Sequence, residues 1–267
     1  LPVFSVGRSR FKRDLPSGKK VIFLSDVFSH YLEAHVEESA CAVLNALGYE
    51  VVVLPTIGAG ASLLSKGFIE AAQRHAEKVL VEIKARDPES ALSVVGCEPP
   101  EVYCLKHEYA ALLPSRRTEI ESIAKRTWLL DEFLLRVSSE ENGLLKNQKI
   151  HKPTKIFFHP HCHQQAETSA KDGISTGSAA TMDLLRAAGF EVELSVAGCC
   201  GMAGTFGFDA EHFDLSMQIG EMKLFPQARR AQDALMVSTG ASCRMHLRQA
   251  LARDVVHPVE LVRGMLI

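Results

Sequence analysis

The segment LNALGYEVVVLPTIGAG (residues 44–60) is matched 141 residues later by LRAAGFEVELSVAGCCG (residues 185–201), and the match needs no gap. In each copy a helical pattern stops at a glycine, Gly48 or Gly189, and a strand pattern follows it. Strand patterns alternate with helical patterns on both sides of the two segments. The sequence therefore predicts an α/β fold of two tandem lobes, each a mostly parallel sheet flanked by helices, related by a pseudo-twofold duplication.

The sequence also predicts where these lobes begin and end. Residues 1–20 are interpreted as a linker or tail, residues 21–150 as the first lobe and residues 151–267 as the second lobe, with a polar segment at 138–153 between them. In the first lobe the patterns predict strands at 21–24, 50–55 and 92–95, and helices at 31–47, 68–83, 103–113 and 118–136. In the second lobe they predict strands at 155–158, 191–196 and 235–238, and a helix at 178–188.

Composition excludes some classes of protein. The 267 residues are 46% apolar and carry a formal net charge of -2. No run approaches the roughly 18 consecutive apolar residues of a membrane span, and no basic stripe suggests nucleic-acid binding. We therefore expect no membrane span and no nucleic-acid partner. The expected location is the cytoplasm, free or associated with the inner face of the membrane.

Seven cysteines carry the chemical signal. An odd number in a chain of this length does not suit a disulfide framework, so metal ligation or redox chemistry is the better interpretation. Cys162, the adjacent pair Cys199 and Cys200, and Cys243 each follow a predicted strand of the second lobe. Because the loops after parallel strands lie along one edge of the sheet, we expect these four thiols to converge.

Four converging thiolates suit a soft metal ion or an iron-sulfur cluster. The adjacent pair favours a cluster over a single zinc ion, because neighbouring side chains diverge and reach different metal atoms more readily. The alternative is that Cys199 and Cys200 are core residues and that GMAGTFG (residues 201–207) is a tight turn. Three further cysteines are expected to be packing residues: Cys41, Cys97 and Cys104.

The duplication predicts that the first lobe contains no metal ligands. Each site cysteine aligns with a residue of another type. The aligned pairs are Cys162 with Phe28, Cys199 with Gly58, Cys200 with Ala59 and, within one or two residues, Cys243 with Glu101.

Three histidines flank Cys162 in the segment HPHCH. We expect one of them to bind the centre or to orient a ligand through a hydrogen bond, with His161 and His163 favoured over His159. For each of them, capping or hydrogen bonding at the end of a strand is the competing interpretation.

Two residues outside this segment are also candidates for the surroundings of the site. His246 lies one helical turn after Cys243 and is placed to face the thiols. Gly201 begins a glycine-rich continuation whose backbone amides can approach a cluster or an anionic substrate closely.

The segments HPHCH, AGCCGMAGTFGFD, STGASCRMHL and the closing HPVEL resemble the cysteine-rich CCG module of heterodisulfide-reductase and glycolate-oxidase iron-sulfur subunits. A nearer likeness is to the C-terminal part of bacterial FAD-linked oxidases of the D-lactate and D-2-hydroxyglutarate dehydrogenase type. Likeness also covers the first half, where SDVFSHYLEAHVEESACAVLNALGYEV and GCEPPEVYCLKHEYAALLP look like the first module of a pair. The resemblance implies two tandem CCG-type lobes, of which the first is degenerate.

The resemblance implies that a [4Fe-4S] cluster is held by four ligands, which are Cys162, Cys199, Cys200 and Cys243. Many members of the family end in C-x-x-C, and in this sequence Gly240 stands at the first of those positions. A five-cysteine cluster is therefore not expected, and Zn²⁺ is the alternative to iron-sulfur.

The same resemblance implies a role in electron transfer. In such proteins an FAD domain oxidises the 2-hydroxy acid and ferredoxin-like clusters pass the electrons onward. We expect the chain to work with FAD-binding and ferredoxin-like parts of the same protein or complex, and not to turn over substrate by itself. A homodimer is a further expectation. Thiol-disulfide exchange at Cys199 and Cys200 is the least favoured hypothesis, because a disulfide between adjacent cysteines closes a strained eight-membered ring.

Overall fold

The computed structural model of the chain describes residues 18–140 and 154–266. The predicted tail therefore lies almost entirely outside the described residues, as does most of the polar segment 138–153. The described residues contain two four-stranded sheets, in which all paired strands run parallel. This confirms the α/β class and the two sheets flanked by helices.

The first sheet has the strand order β2-β1-β3-β4. Its strands are β1 (Lys20–Leu24), β2 (Glu50–Val53), β3 (Val94–Gly96) and β4 (Thr127–Leu129). Its helices are α1 (Val27–Tyr31), α2 (Ala34–Ala46), α3 (Ala61–Ser65), α4 (Ile69–Arg86), α5 (Pro99–Tyr103), α6 (Tyr109–Leu112), α7 (Arg117–Ala124) and α8 (Leu130–Glu140). A π-helical turn, Cys104–Glu108, joins α5 to α6 within the region predicted as one helix at 103–113.

The second sheet repeats this order as β6-β5-β7-β8. Its strands are β5 (Lys155–His159), β6 (Glu191–Leu194), β7 (Leu235–Ser238) and β8 (Val255–Val256). Its helices are α9 (Cys162–Gln165), α10 (Gly177–Ala187), α11 (Phe213–Met222), α12 (Leu224–Arg230), α13 (Ala241–Leu251) and α14 (Pro258–Leu266).

Glycines end two equivalent helices, as the sequence predicts. Gly48 follows α2 and Gly189 follows α10, with backbone φ angles of 82° and 90°. A positive φ is accessible to glycine without the steric penalty that a Cβ atom brings. The chain can therefore turn directly from each helix into β2 or β6.

The sheets also share a register. Lys20 of β1 lies opposite Glu50 of β2, and Lys155 of β5 lies opposite Glu191 of β6. In this register Cys162 corresponds to Val27 and not to the predicted Phe28. The prediction was wrong by one residue because β1 begins at Lys20, before the apolar run that marks the strand in the sequence.

Two predicted helices are interrupted. The helix expected at 31–47 is the end of α1 followed by α2, with residues 32–33 between them. The prediction of one long helix at 118–136 was wrong. In the structure β4 separates α7 from α8 and pairs with β3 at the edge of the sheet. Thr127 and Trp128 belong to the residue types that favour strands. The apolar residues of this region keep a helix-like spacing, which did not reveal the break between α7 and α8.

The lobes share part of their hydrophobic core. Leu184 of α10 and Val259 and Val262 of α14 belong to the same buried cluster as Val36 and Leu44 of α2. Helix α14 of the second lobe therefore packs on α2 of the first lobe. Among the described residues, no helix combines the length and apolar character that crossing a membrane requires.

A buried ion pair joins the lobes beside Cys243. The Arg244 side chain is 1% exposed and donates to the carbonyls of Ser238 and Thr239 and to the carboxylate of Glu33. Arg248 pairs with the same carboxylate at 2.5 Å. Burial opposes ionisation of Glu33, but the two guanidinium groups hold its pKa below the ordinary value.

Removal of the Glu33 charge should destabilise the chain strongly. Glu33→Gln leaves the Arg244 guanidinium buried without its counter-charge, and such a loss typically lowers the unfolding free energy by about 3–5 kcal/mol. The measurement is urea denaturation followed by circular dichroism. Glu221→Gln is the control, because Glu221 pairs with Arg229 at the surface, where loss of a pair changes stability little. Equal midpoints for the two variants would show that the buried pair does not hold the lobes together.

Candidate metal centre

The candidate site is built at the carboxyl ends of three neighbouring strands of the second sheet. Cys162 begins α9 just after β5, Cys199 and Cys200 lie in the loop after β6, and Cys243 lies in the first turn of α13 after β7. Since β6, β5 and β7 are adjacent and parallel, all three loops leave the sheet at the same edge.

The structure brings the four cysteines together as a continuous row. The Cys162 thiol lies beside that of Cys199. The Cys200 thiol lies beside those of both Cys199 and Cys243. All four are free thiols, with Cys200 and Cys243 buried and Cys162 and Cys199 half-buried. The expected convergence is therefore present, while the role of these thiols as metal ligands is a proposal taken up below.

The pKa values alternate along this row. The neighbouring thiols of Cys162 and Cys200 lower the pKa of Cys199. The Cys200 thiol likewise lowers the pKa of Cys243, with further contributions from His159 and His161. The pKa values of Cys162 and Cys200 are raised, because each thiol lies beside a more acidic thiol and is partly removed from water.

The loop after β6 is shaped by its backbone. The N–H of Gly201 donates to the Cys199 sulfur at 3.3 Å, and the N–H of Met202 donates to the Cys200 sulfur at 3.5 Å. Gly201 has a φ of 106°, and a Cβ atom there would overlap the carbonyl oxygen of Ser216. Glycine is therefore required for this loop to lie against α11.

His246 supports the same loop from α13. Its Nδ1 lies 3.0 Å from the carbonyl oxygen of Cys200, and its Nε2 lies 3.1 Å from the Met217 sulfur. The ring packs edge-on against Phe225, with 5.0 Å between ring centroids. Burial lowers the pKa of His246, which favours the neutral ring. The structure therefore places His246 against the backbone of the paired cysteines and not against their sulfur atoms.

The histidines of HPHCH have three different environments. His159 is fully buried at the end of β5, and a ring nitrogen of His159 and the sulfurs of Cys200 and Cys243 lie within 4.8 Å of one another. The Nδ1 atom of His161 accepts the backbone N–H of His163 at 3.2 Å and so caps α9. His163 is exposed. The sequence favoured His161 and His163, whereas the nitrogen nearest the two buried thiols belongs to His159.

Gly240 makes room for His161. A Cβ atom on Gly240 would overlap Cδ2 of the His161 imidazole and would lie 3.3 Å from the Cys243 sulfur. The two side chains cannot both occupy this space. The glycine that replaces the first cysteine of a C-x-x-C pattern is thus explained by the ring of His161.

The first lobe contains a different arrangement at the equivalent place. Glu101 lies seven residues after Val94, as Cys243 lies seven residues after Met236, and the sheet register makes these strand positions equivalent. The Glu101 carboxylate accepts hydrogen bonds from the backbone N–H groups of Ala59 and Ala61. In the loop that corresponds to Cys199 and Cys200, a carboxylate therefore accepts the hydrogen bonds of the backbone N–H groups.

No second metal site accompanies this arrangement in residues 18–140, where no group of three His, Cys, Asp or Glu side chains brings its ligand atoms together as closely.

The other cysteines lie in packed surroundings. Cys97 and Cys104 belong to buried core clusters, and Cys41 is half-buried on α2. Burial raises the pKa of Cys41 to about 12, so its thiol stays protonated at neutral pH.

Comparison with known protein families agrees with the geometry. Residues 156–248 match the model of the CCG family, described as a cysteine-rich domain. This range contains all four clustered cysteines and confirms the resemblance of the second lobe to a CCG module.

Similarity to curated proteins extends over both lobes. The chain is 26% identical over 91% of its length to D-2-hydroxyglutarate dehydrogenases of Pantoea ananatis and Escherichia coli, and it spans 22% of their length. It is 25% identical over 98% of its length to one subunit of the anaerobic glycerol-3-phosphate dehydrogenase of Escherichia coli, and it spans 64% of that subunit. The chain therefore corresponds to part of each of these relatives.

The conflict between Gly240 and His161 can be measured. Gly240→Ala should displace the His161 ring from its capping position and lower the unfolding free energy by about 1–3 kcal/mol. In the double variant with His161→Ala the loss should be smaller than the sum of the two single losses, because the overlap is gone. Thermal melts of the four proteins test this. Gly264→Ala is the control, since a Cβ atom there meets nothing within 4 Å. Additive losses would disprove a direct conflict between the two residues.

Proposed function

We propose that the four thiols of the second lobe bind an iron-sulfur cluster, and that the chain is an electron-transfer module of an FAD-linked 2-hydroxyacid dehydrogenase. The observation that carries this proposal is the convergence of four thiols, from Cys162 to Cys243, at the carboxyl edge of a parallel sheet. The match to a CCG cysteine-rich domain and the dehydrogenase relatives support it.

The donor set fits such a cluster. Thiolate sulfur is a soft ligand that suits iron-sulfur clusters and zinc. The four sulfurs do not all lie within 4.8 Å of one another. A single tetrahedral zinc, with Zn–S bonds of about 2.3 Å, would draw its four sulfurs closer together than that. A row of thiols is better matched to a centre with several metal atoms.

The chain's own residues would bind the centre and control access to it. An iron-sulfur cluster bound there would supply one-electron redox chemistry. Cys200 and Cys243 are buried and would shield one side from water, whereas Cys162 and Cys199 are half-buried. We propose that FAD-binding and ferredoxin-like parts of the same protein or complex exchange electrons at the half-buried side. The chain then does not oxidise a 2-hydroxy acid by itself.

A zinc-stabilised structural or interaction module is the second candidate. It is favoured by the compact group of His159, Cys200 and Cys243, whose ligand atoms lie close enough together for one ion. Thiol-disulfide exchange is a third candidate, favoured by the lowered pKa of Cys199, because a thiolate is the attacking species in such exchange.

Metal analysis of the anaerobically purified chain separates the three candidates. The cluster proposal expects iron together with inorganic sulfide and visible charge-transfer absorption. Colourless protein with one zinc per chain would support the structural module instead. Protein with neither metal that still exchanges thiols with a small disulfide would support the third candidate.

The Cys162→Ser variant tests the ligand set. Loss of one thiolate should make the cluster labile, so iron and visible absorption should fall to background after gel filtration. Cys41→Ser is the control, because Cys41 lies on α2 of the first lobe, and it should retain the metal. Full iron content in Cys162→Ser would contradict a role for Cys162 as a ligand.

A further inference from the structure

His159 has an unused ring nitrogen in the interior of the second lobe. Its side chain is fully buried at the end of the central strand β5. The Nδ1 atom lies 3.2 Å from the hydroxyl oxygen of Ser195, whereas the Nε2 atom is buried without a hydrogen-bond partner. Buried polar atoms nearly always have a partner in folded proteins, so this nitrogen needs an explanation.

The Ser195 hydroxyl offers an acceptor for a proton on Nδ1 of His159. The Ser195 hydroxyl oxygen already accepts the backbone N–H of Ala197 at 3.1 Å, and its second lone pair can accept an Nδ1–H. A ring protonated at Nδ1 has a lone pair on Nε2. A hydrogen bond at one ring nitrogen that directs the other toward a metal is the usual arrangement of a ligating histidine.

Two thiols of the proposed centre lie close to the His159 ring. The ligand atoms of His159, Cys200 and Cys243 are within 4.8 Å of one another, and all three residues are buried. Both thiols belong to the row of four. The unpartnered nitrogen therefore belongs to a ring that has a nitrogen within 4.8 Å of two of the sulfurs that would hold a metal.

The other nearby buried histidines already have partners. The Nδ1 atom of His161 accepts the backbone N–H of His163 and lies 3.8 Å from the Cys162 sulfur, and both nitrogens of His246 have partners in the Cys200 carbonyl and the Met217 sulfur. His163 is exposed. Among the described histidines around the thiols, His159 is thus the one with a buried nitrogen left without a partner.

We propose that His159 is a ligand of the metal centre, bound through Nε2, and that the centre has mixed sulfur and nitrogen ligation. The proposal rests on the proposed function, since it requires that the second lobe hold a metal. A neutral imidazole adds less negative charge than a thiolate. His159 would add to the thiols and not replace one of them, and an imidazole at this position leaves an iron-sulfur centre less negative, and so easier to reduce, than a thiolate there would.

The test uses the intact chain labelled with 15N-histidine and purified anaerobically. Pulsed EPR of the reduced centre, or of the cobalt-substituted centre if zinc is found, should show coupling to one directly bound histidine nitrogen. The coupling should vanish in His159→Gln and persist in His163→Gln, whose imidazole is exposed. His246→Gln should also retain it, since His246 contacts the loop backbone.

A change of ligand provides a second readout. His159→Cys should keep the metal, lose the nitrogen coupling and shift the potential of an iron centre downward, because a thiolate replaces a neutral ring. Circular dichroism confirms that each variant is folded. If His159→Gln does not fold, retention of the wild-type coupling in His161→Gln, His163→Gln and His246→Gln identifies the ligand by elimination, with His159→Cys as the folded comparison.

The outcomes separate this inference from the proposed function. Wild-type protein with bound metal but no histidine coupling would overturn the role of His159 and leave the metal centre intact. Coupling that persists in His159→Gln would assign the nitrogen to another residue and would also overturn it. Wild-type protein that binds no metal would refute the proposed function and this inference together.

Discussion

The position of α13 depends on the buried side chain of Arg244. Its guanidinium group donates to the carbonyls of Ser238 and Thr239 at the end of β7 and pairs with Glu33 of the first lobe. Cys243 directly precedes Arg244, so the contacts that join the lobes also determine where this thiol lies. An ion pair buried this deeply is stable only while both charges are present, because each alone would be desolvated without compensation.

The first lobe has other residue types where the second lobe has its thiols, and two of its carboxylates contact the second lobe. Glu98 occupies the register position of Gly240, and its carboxylate accepts the backbone N–H of Ala241 at 2.9 Å. An acceptor at the N-terminus of α13 satisfies a backbone donor that the helix itself leaves unpaired. Glu101, the counterpart of Cys243, accepts a hydrogen bond from the backbone N–H of Ala59 within its own lobe. Equivalent positions of the two lobes thus have different roles, with thiols in one lobe and hydrogen-bond acceptors in the other.

Much of the fold and the convergence of the cysteines could be predicted from residue patterns. Apolar runs bounded by helices predict parallel strands, and Gly48 and Gly189 end their helices because glycine accepts a positive φ. The patterns failed at β4 and at the break between α1 and α2. Thr127 and Trp128 lie within a helix-like apolar spacing, and only pairing with β3 makes this segment a strand. The break at residues 32–33 places Glu33 opposite Arg244, a partner more than 200 residues away that no local pattern contains.

The sequence by itself determined the class of fold, the repeat and the four cysteines that meet, because strand order and the position of a residue after its strand follow from local patterns. Only the tertiary structure decided the order of the thiols in their row and the role of each histidine. His159, His161 and His163 have nearly the same sequence context, yet one is buried beside two thiols, one caps a helix and one is exposed. The direction of a side chain at the end of a strand depends on neighbouring strands and on packing from the other lobe, and these neighbours are distant in the sequence.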